Sequence, residues 1–386
     1  MPRIGALAAM HITLIMFSKT TGRRGRFGDN RGGKHPAMAG QGSRAAVVPP
    51  CNRDRAWARS MQFSLANRNF SQERIVFGLA ALLFLVAAVS LPGFIDPNNL
   101  VAIVRSVSVL GILAVGMAIV IIGRGIDLSM VAIMAMSVAW YLQMLNNGVE
   151  NSTALAIVLA GVVAVGLVNG FLVAYADVPA IFATLASAAF VFGFARSQLV
   201  AQDATPVPPD HWIEQVGRFR FLDIPVEVFF FSGAGFVVFL FLRYAKWGRY
   251  VYLMGDNFMA ARNMGIPVRP MIMLRYVIPA LIAFVAGILT ASSLHSINVR
   301  VVNSTLLYDI ILVVVIGGIG LNGGKGSVRN VIVGSLLIGI MQNAMTIIDI
   351  SNIYQNLIKS TILLIAIIVD SLLNPRDEQT AQQGDI

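Results

Sequence analysis

From Ile75 onward the chain alternates long apolar runs with short polar breaks, the pattern of repeated bilayer crossing. Ten runs read as helical spans, at 75–93, 106–123, 129–145, 154–175, 178–200, 226–243, 272–292, 306–321, 328–348 and 355–373. At 1.5 Å of rise per residue, several of them sit near the lower limit for an untilted crossing of a ~30 Å hydrocarbon core. Broken or tilted helices are therefore expected, especially where glycines gather at the ends of spans. The predicted fold class is all-α: a polytopic membrane protein of about ten transmembrane helices. Gly161, Gly166 and Gly170 in the fourth run permit close helix packing.

Composition supports this pattern. Of 386 residues, 56% are hydrophobic and 12% charged, whereas a soluble domain carries roughly 25% charged residues. Too little polar surface remains to cover a water-soluble globule of this length. The net charge of +10 is unevenly placed. Residues 1–74 hold 13 Lys/Arg against 3 Asp/Glu, and the remainder carries 16 of each sign. The excess thus belongs to the leading tail, where a basic segment before the first span keeps the N-terminus in the cytoplasm. The tail has neither aromatic interleaving nor a recognisable motif for nucleic acid, and no nucleic-acid partner is expected.

The chain accordingly divides into a basic tail, 1–74, a membrane body, 75–373, and a short cytoplasmic tail, 374–386. Residues 1–60 are rich in Gly, Arg and Ala without sustained periodicity and read as a disordered extension. The apolar stretch 4–17 is too short to span. Its Arg-rich neighbour, 23–31, follows it, the reverse of a signal peptide. A sharper reading is that translation begins at Met61. Six crossings return the chain to the side of the tail at 244–271, where Lys246, Arg249, Arg262 and Arg269 stand against Asp256. The loop 202–225, with Asp203, Asp210, Glu214 and Asp223 against Arg218 and Arg220, falls outside. Both termini are then cytoplasmic.

The residue inventory excludes several chemistries. The single cysteine, Cys51, permits no intrachain disulfide or cysteine-based metal site, and His11, His35, His211 and His295 are scattered. No metal, no cofactor and no catalytic residue is expected: the spans hold no Ser/His pair, no His-x-x-x-His pair and no clustered carboxylates. An ion-coupled carrier usually keeps carboxylates at the bilayer midplane, and none is placed there. The polar groups left inside spans are neutral. Asn169, Gln342 and Asn343 are candidate contacts on a substrate pathway, and they suit an uncharged, hydroxyl-rich cargo better than an ion.

Three segments carry the remaining signal. After the sixth span, Asp256 or Asn257 can cap a helix, Ala260 and Ala261 favour it, and Gly265 can supply a left-handed terminus ahead of Pro267. A helix of about two turns outside the membrane follows from that order. In Gly123-Arg-Gly-Ile-Asp-Leu-Ser129, Gly125 permits a reversal, and Asp127 or Ser129 can cap the next helix. The late segment 316–327 concentrates Gly317, Gly318, Gly323, Gly324 and Gly326. It is not a phosphate-binding loop of the Walker kind. The place four residues removed from Gly324-Lys325 is Ile319, and Lys325 is followed by Gly326.

The pattern Gly255-x-Asn257-x-x-Ala260-Ala261-x-x-x-Gly265-Ile266 closely resembles the coupling segment of bacterial sugar-type ABC importer permeases, the ribose-permease-like family. The other two segments resemble that family's Gly-Gly-Ile-Asp-Leu-Ser signature and its late Gly-rich turn, in the same order. The resemblance runs from about residue 75 to 373. It implies a multi-pass permease subunit in the bacterial inner membrane, moving a small neutral sugar of the pentose or hexose class by alternating access. It implies that Gly255, Asp256, Asn257, Ala260, Ala261, Arg262, Gly265 and Ile266 engage a cytoplasmic ABC ATPase, which alone carries ATP and Mg. It further implies a periplasmic or extracellular sugar-binding protein and a second permease, identical or homologous, in a lipid bilayer. The chain departs from the family at Arg124, where a small residue is usual; Arg124 pairs with Asp127 or faces head groups, and the turn there need not be identical. Other cargoes (a nucleoside, an amino acid, a sugar-derived signal) and an ion-coupled carrier remain alternatives.

Overall fold

The computed structural model describes residues 73–221 and 223–373. The expectations for the leading tail, for a start at Met61 and for the last thirteen residues lie outside them. Eight described helices are long and apolar enough to cross a bilayer. They are α1 (Glu73–Ser90), α2 (Pro97–Ile122), α4 (Asn151–Ala174), α5 (Ala180–Gln198), α7 (Val226–Tyr244), α10 (Val268–Leu294), α12 (Val328–Ile347) and α13 (Asn352–Leu373). Two shorter apolar helices, α3 (Met130–Asn146) and α11 (Leu306–Gly317), complete the ten that the hydropathy pattern predicts.

α2 is the axis of the bundle. Every residue from Leu110 to Gly123 is buried, as expected for a helix that is apolar all round and enclosed by protein. α10, α12, α7 and α11 surround it. It begins at Pro97, well before the expected residue 106. Pro97 occupies the first helical turn, and the Asp96 carboxylate accepts the Asn98 N–H at 2.8 Å. α1, α5 and α13 lie at the periphery and expose large apolar side chains such as Leu82, Phe190 and Leu364, the surface a lipid solvent requires.

The fourth run's glycines do what their spacing suggests. Gly166 and Gly170 bring α4 onto the backbone of α10: a Cβ on either would stand 2.8 Å and 2.5 Å from the Cα atoms of Val277 and Met273. Gly161 instead faces the Trp140 ring. α11, at twelve residues, is the shortest apolar helix. It stops because Gly318 takes φ 103° and turns the chain out of the helix. Asn330 of α12 then donates to the freed Gly317 carbonyl at 2.6 Å. The expected breakage at a glycine cluster is found here.

Successive spans give the bundle two ends. At one end a small cap joins β1 (Ala204–Pro206) to β2 (Ser296–Asn298) antiparallel, with Thr205 opposite Ile297. α6 (Trp212–Arg218) lies in the same cap, and Asp203 binds Arg196 at 2.8 Å and Arg300 at 2.6 Å. At the other end lie the turn 123–129, the segment 246–267 and the loop 318–327, in short all three of the motif segments.

Candidate functional site

The segment 246–267 is two helices and not one. α8 (Lys246–Asp256) is amphipathic, with Val251, Met254 and Gly255 buried and Lys246, Trp247 and Arg249 exposed. α9 (Phe258–Asn263) follows after a break at Asn257. Asn257 is the cap: its side-chain oxygen accepts the Ala260 N–H at 2.9 Å, while Asp256 closes the preceding helix. Gly265, at φ 79°, supplies the left-handed terminus, and the Ile266 N–H reaches back to the Ala261 carbonyl at 3.1 Å. The eight candidate residues split into two faces. Gly255, Ala261 and Ile266 are buried and seat the pair of helices on the bundle, whereas Asp256, Asn257, Ala260, Arg262 and Gly265 are exposed. Met259 and Met264, which the motif does not include, join that exposed face.

Two of the motif segments meet at the backbone oxygen of Ile122, the residue just before the third. The last carbonyls of a helix lack partners within it, and the Ile122 carbonyl of α2 finds one in the Gly324 N–H, at 2.8 Å. Gly255 lies against that same carbonyl and against the Gly324 nitrogen; no side chain fits there. Gly323 and Gly324 take φ 74° and 72°, a paired left-handed conformation that lets the loop 318–327 lie flat on α8. A Cβ on Gly324 would stand 2.8 Å from the Asp256 Cα. Tyr252 of α8 closes the contact by donating to the Gly326 carbonyl at 2.7 Å. Burial raises the Tyr252 pKa above its ordinary 10.0, which keeps the donor proton in place.

The turn 123–129 is pinned from three helices. Asp127, Ser129, Asn169 and Thr184 are wholly buried. The Asp127 carboxylate accepts the Ser129 N–H at 2.9 Å and its hydroxyl at 2.5 Å. Ser129, at the N-terminal cap position of α3, makes no side-chain capping bond to that helix. Asn169 of α4 donates to the Ser129 oxygen at 2.8 Å, and Thr184 of α5 accepts the Leu128 N–H at 3.1 Å. Arg275 of α10, 5% exposed, donates to the Gly123 carbonyl and lies over Gly125 together with Tyr276. Arg124 sits at φ 64°, a conformation in which a side chain costs roughly 1 kcal/mol.

The three neutral side chains proposed for a cargo path all have protein partners. Asn169 holds Ser129. Asn343 and Asn99 exchange amide hydrogen bonds of 2.8 and 3.1 Å between α12 and α2. Gln342 lies beside the Asp309 carboxylate. Two ion pairs on buried carboxylates do not show in the apolar runs, because the carboxylates occupy the first turns of helices. Lys359 of α13 reaches Asp309 of α11 at 2.9 Å and Thr305 at 3.1 Å. Arg105 of α2 stands 3.5 Å from the fully buried Glu227 of α7.

Residues 99–367 match the family model described as branched-chain amino acid transport system / permease component. The chain belongs to this permease family. The permease is 32% identical over 296 residues to the ribose import permease protein RbsC of Bacillus subtilis, covering 76% of this chain and 90% of that one. It is 33% identical over 301 residues to its namesake in Escherichia coli K12, covering 76% and 92%. It is 32% identical over 329 residues to the L-arabinose ABC transporter permease protein AraH of Azospirillum brasilense, covering 84% and 92%. No solved structure matches the permease. It is a multi-pass membrane transport component and not an enzyme.

Proposed function

We propose that this chain is the membrane-spanning subunit of an ATP-driven importer for a small neutral sugar of the pentose or hexose class, in the bacterial inner membrane. The observation that carries the reading is the junction at the Ile122 carbonyl. The helix pair 246–263 is locked to α2 and to the loop 318–327 through side-chain-free contacts, while its other face is left open. Such an arrangement passes a push on α9 directly into the central helix and into α10, which starts five residues later. A cytoplasmic ABC ATPase carrying ATP and Mg supplies that push against Asn257, Met259, Ala260 and Arg262. A sugar-binding protein delivers cargo to the cap at the opposite end, and a second permease completes the pathway.

The cargo class rests on relatives named for ribose and L-arabinose and on neutral polar groups, of which Gln342 and Asn343 are the partly exposed pair. Asn169, wholly buried, holds the turn instead. Of the buried carboxylates, Asp309 and Glu227 each face a cation, and Asp127 is held by Ser129 in the turn at the end of the bundle, which supports no ion-coupled reading.

The test is co-purification of the tagged chain in mild detergent, followed by reconstitution with the recovered ATPase and binding protein. Uptake of radiolabelled ribose or arabinose that requires ATP and survives a protonophore is the expected outcome. A chain that purifies alone and transports on an ion gradient would overturn the reading.

A further inference from the structure

Two crevices open at the motif end of the bundle, on either side of the first turn of α12. One, about 460 Å³, is lined by Glu73, Arg74 and Phe77 of α1 and by Arg329, Ile332 and Val333 of α12. The other, about 300 Å³, runs between α7, α8 and α12, with Phe239, Leu242, Arg243, Tyr252 and Val328 among its walls. Arg329 lines both. Arg329 and Arg243 are exposed and form no ion pair among the described residues. Arg243 rests on the Phe239 and Tyr244 rings, 5.7 Å from each centroid, which positions its guanidinium without neutralising it.

Depth and charge together say what fits. Apart from Tyr252 of α8, these residues lie in the last or first two turns of membrane-spanning helices, where arginine heads and aromatic rings stand at head-group level. Beneath the cations the walls are apolar and face the bilayer: Phe77 and Ile332 are 56% and 39% exposed. Val333 below them packs on Val76, Ala80 and Leu337, so the first crevice is floored by the α1–α12 contact. A free anion would meet the cations but leave the apolar walls bare. A double-chained anionic lipid satisfies both.

We propose that Arg329 and Arg243 hold the phosphate of an anionic glycerophospholipid whose acyl chains occupy the two crevices. The lipid then ties α1 and α7 to α12, beside the junction but outside it. Basic pockets between spans have this recognition chemistry in general; here the shared arginine between two apolar slots specifies a head group with a chain on each side.

The full-length chain, delipidated in detergent and reconstituted into nanodiscs, tests the proposal. Discs contain phosphatidylcholine with increasing mole fractions of phosphatidylglycerol, and thermal unfolding is followed by intrinsic fluorescence. Wild type is expected to gain thermal stability in a saturable way. Arg329→Gln/Arg243→Gln is expected to need roughly tenfold more phosphatidylglycerol or more for the same gain. Arg329→Lys, which keeps the charge, retains the gain and controls for misfolding, and Arg218→Gln at the opposite end changes nothing. Equal titrations of wild type and double variant would overturn the site, since bulk surface charge then explains the effect. The same gain from inorganic phosphate in phosphatidylcholine discs would also overturn it, leaving an anion site without a lipid. Dimers lost in the double variant, with no lipid response in wild type, would assign the crevices to a second copy of the chain.

Discussion

The bare Cα of Gly255 rests on the carbonyl oxygen of Ile122 at the point where that oxygen accepts the Gly324 N–H. A helix outside the membrane, the end of the central span and a glycine-rich loop therefore share a single contact that no side chain cushions. Gly255→Ala places a methyl group against backbone atoms on both sides. Overpacking of this kind costs about 1–3 kcal/mol. We expect normal membrane insertion, a lower thermal midpoint and lost uptake, checked by membrane-fraction immunoblot, fluorescence melting and transport in the same strain.

The two faces of the 246–263 helix pair predict two different failures. Met259→Asp and Arg262→Glu alter exposed positions and should leave melting unchanged while abolishing the permease's effect on ATPase turnover. Ala261→Glu buries a carboxylate where the wild-type residue is wholly covered; it should lower the melting temperature before any coupling can be judged. Melting curves and ATPase assays on the same three variants separate the cases.

Lys359 and Asp309 are buried together, at 10% and 8% side-chain exposure. Removing one partner of such a pair typically costs 3–5 kcal/mol, because an uncompensated charge stays behind. Lys359→Met should therefore be strongly destabilised. The double change Asp309→Leu/Lys359→Met should recover most of the loss, and a double-mutant cycle by denaturant unfolding in detergent measures it. A double-variant loss equal to the sum of the two single-variant losses would mean that the pair is not coupled.

His211, in the cap outside the spans, accepts the Ile213 N–H through Nδ1 at 3.4 Å and so must be neutral to cap α6. Burial lowers its pKa below 6.5. The unfolded chain then binds the proton more tightly, so this contribution to stability is present above about pH 6.5 and is lost as the pH falls through the folded pKa. His211→Asn keeps an acceptor that does not titrate. Melting curves across the acid range should show a shallower pH dependence for the variant than for wild type.

The spans were legible because a bilayer demands long apolar runs, and Gly166 and Gly170 were legible because helix contact in lipid demands small residues. Where polar residues are satisfied by protein, that logic misleads. α2 extends back to Pro97 through Asn99 and Arg105, whose partners Asn343 and Glu227 come from distant helices. α8 is not legible in the sequence because a half-polar helix with Gly248 in its first turn reads as a loop. Spacing alone does not show that Asn169 also donates to Ser129 of the buried turn. The meeting of Gly255, Ile122 and Gly324 could not be read from spacing, since backbone contacts leave no side-chain pattern.

The brevity of α11 reaches beyond the finished structure to how the chain is made. Twelve residues cover about 18 Å, too little apolar length for the insertion machinery to accept as a stop by itself. Its terminal carbonyl is claimed only when Asn330 arrives. We therefore expect Leu306–Gly317 to settle stably in the bilayer only together with α12, the two helices forming one hairpin.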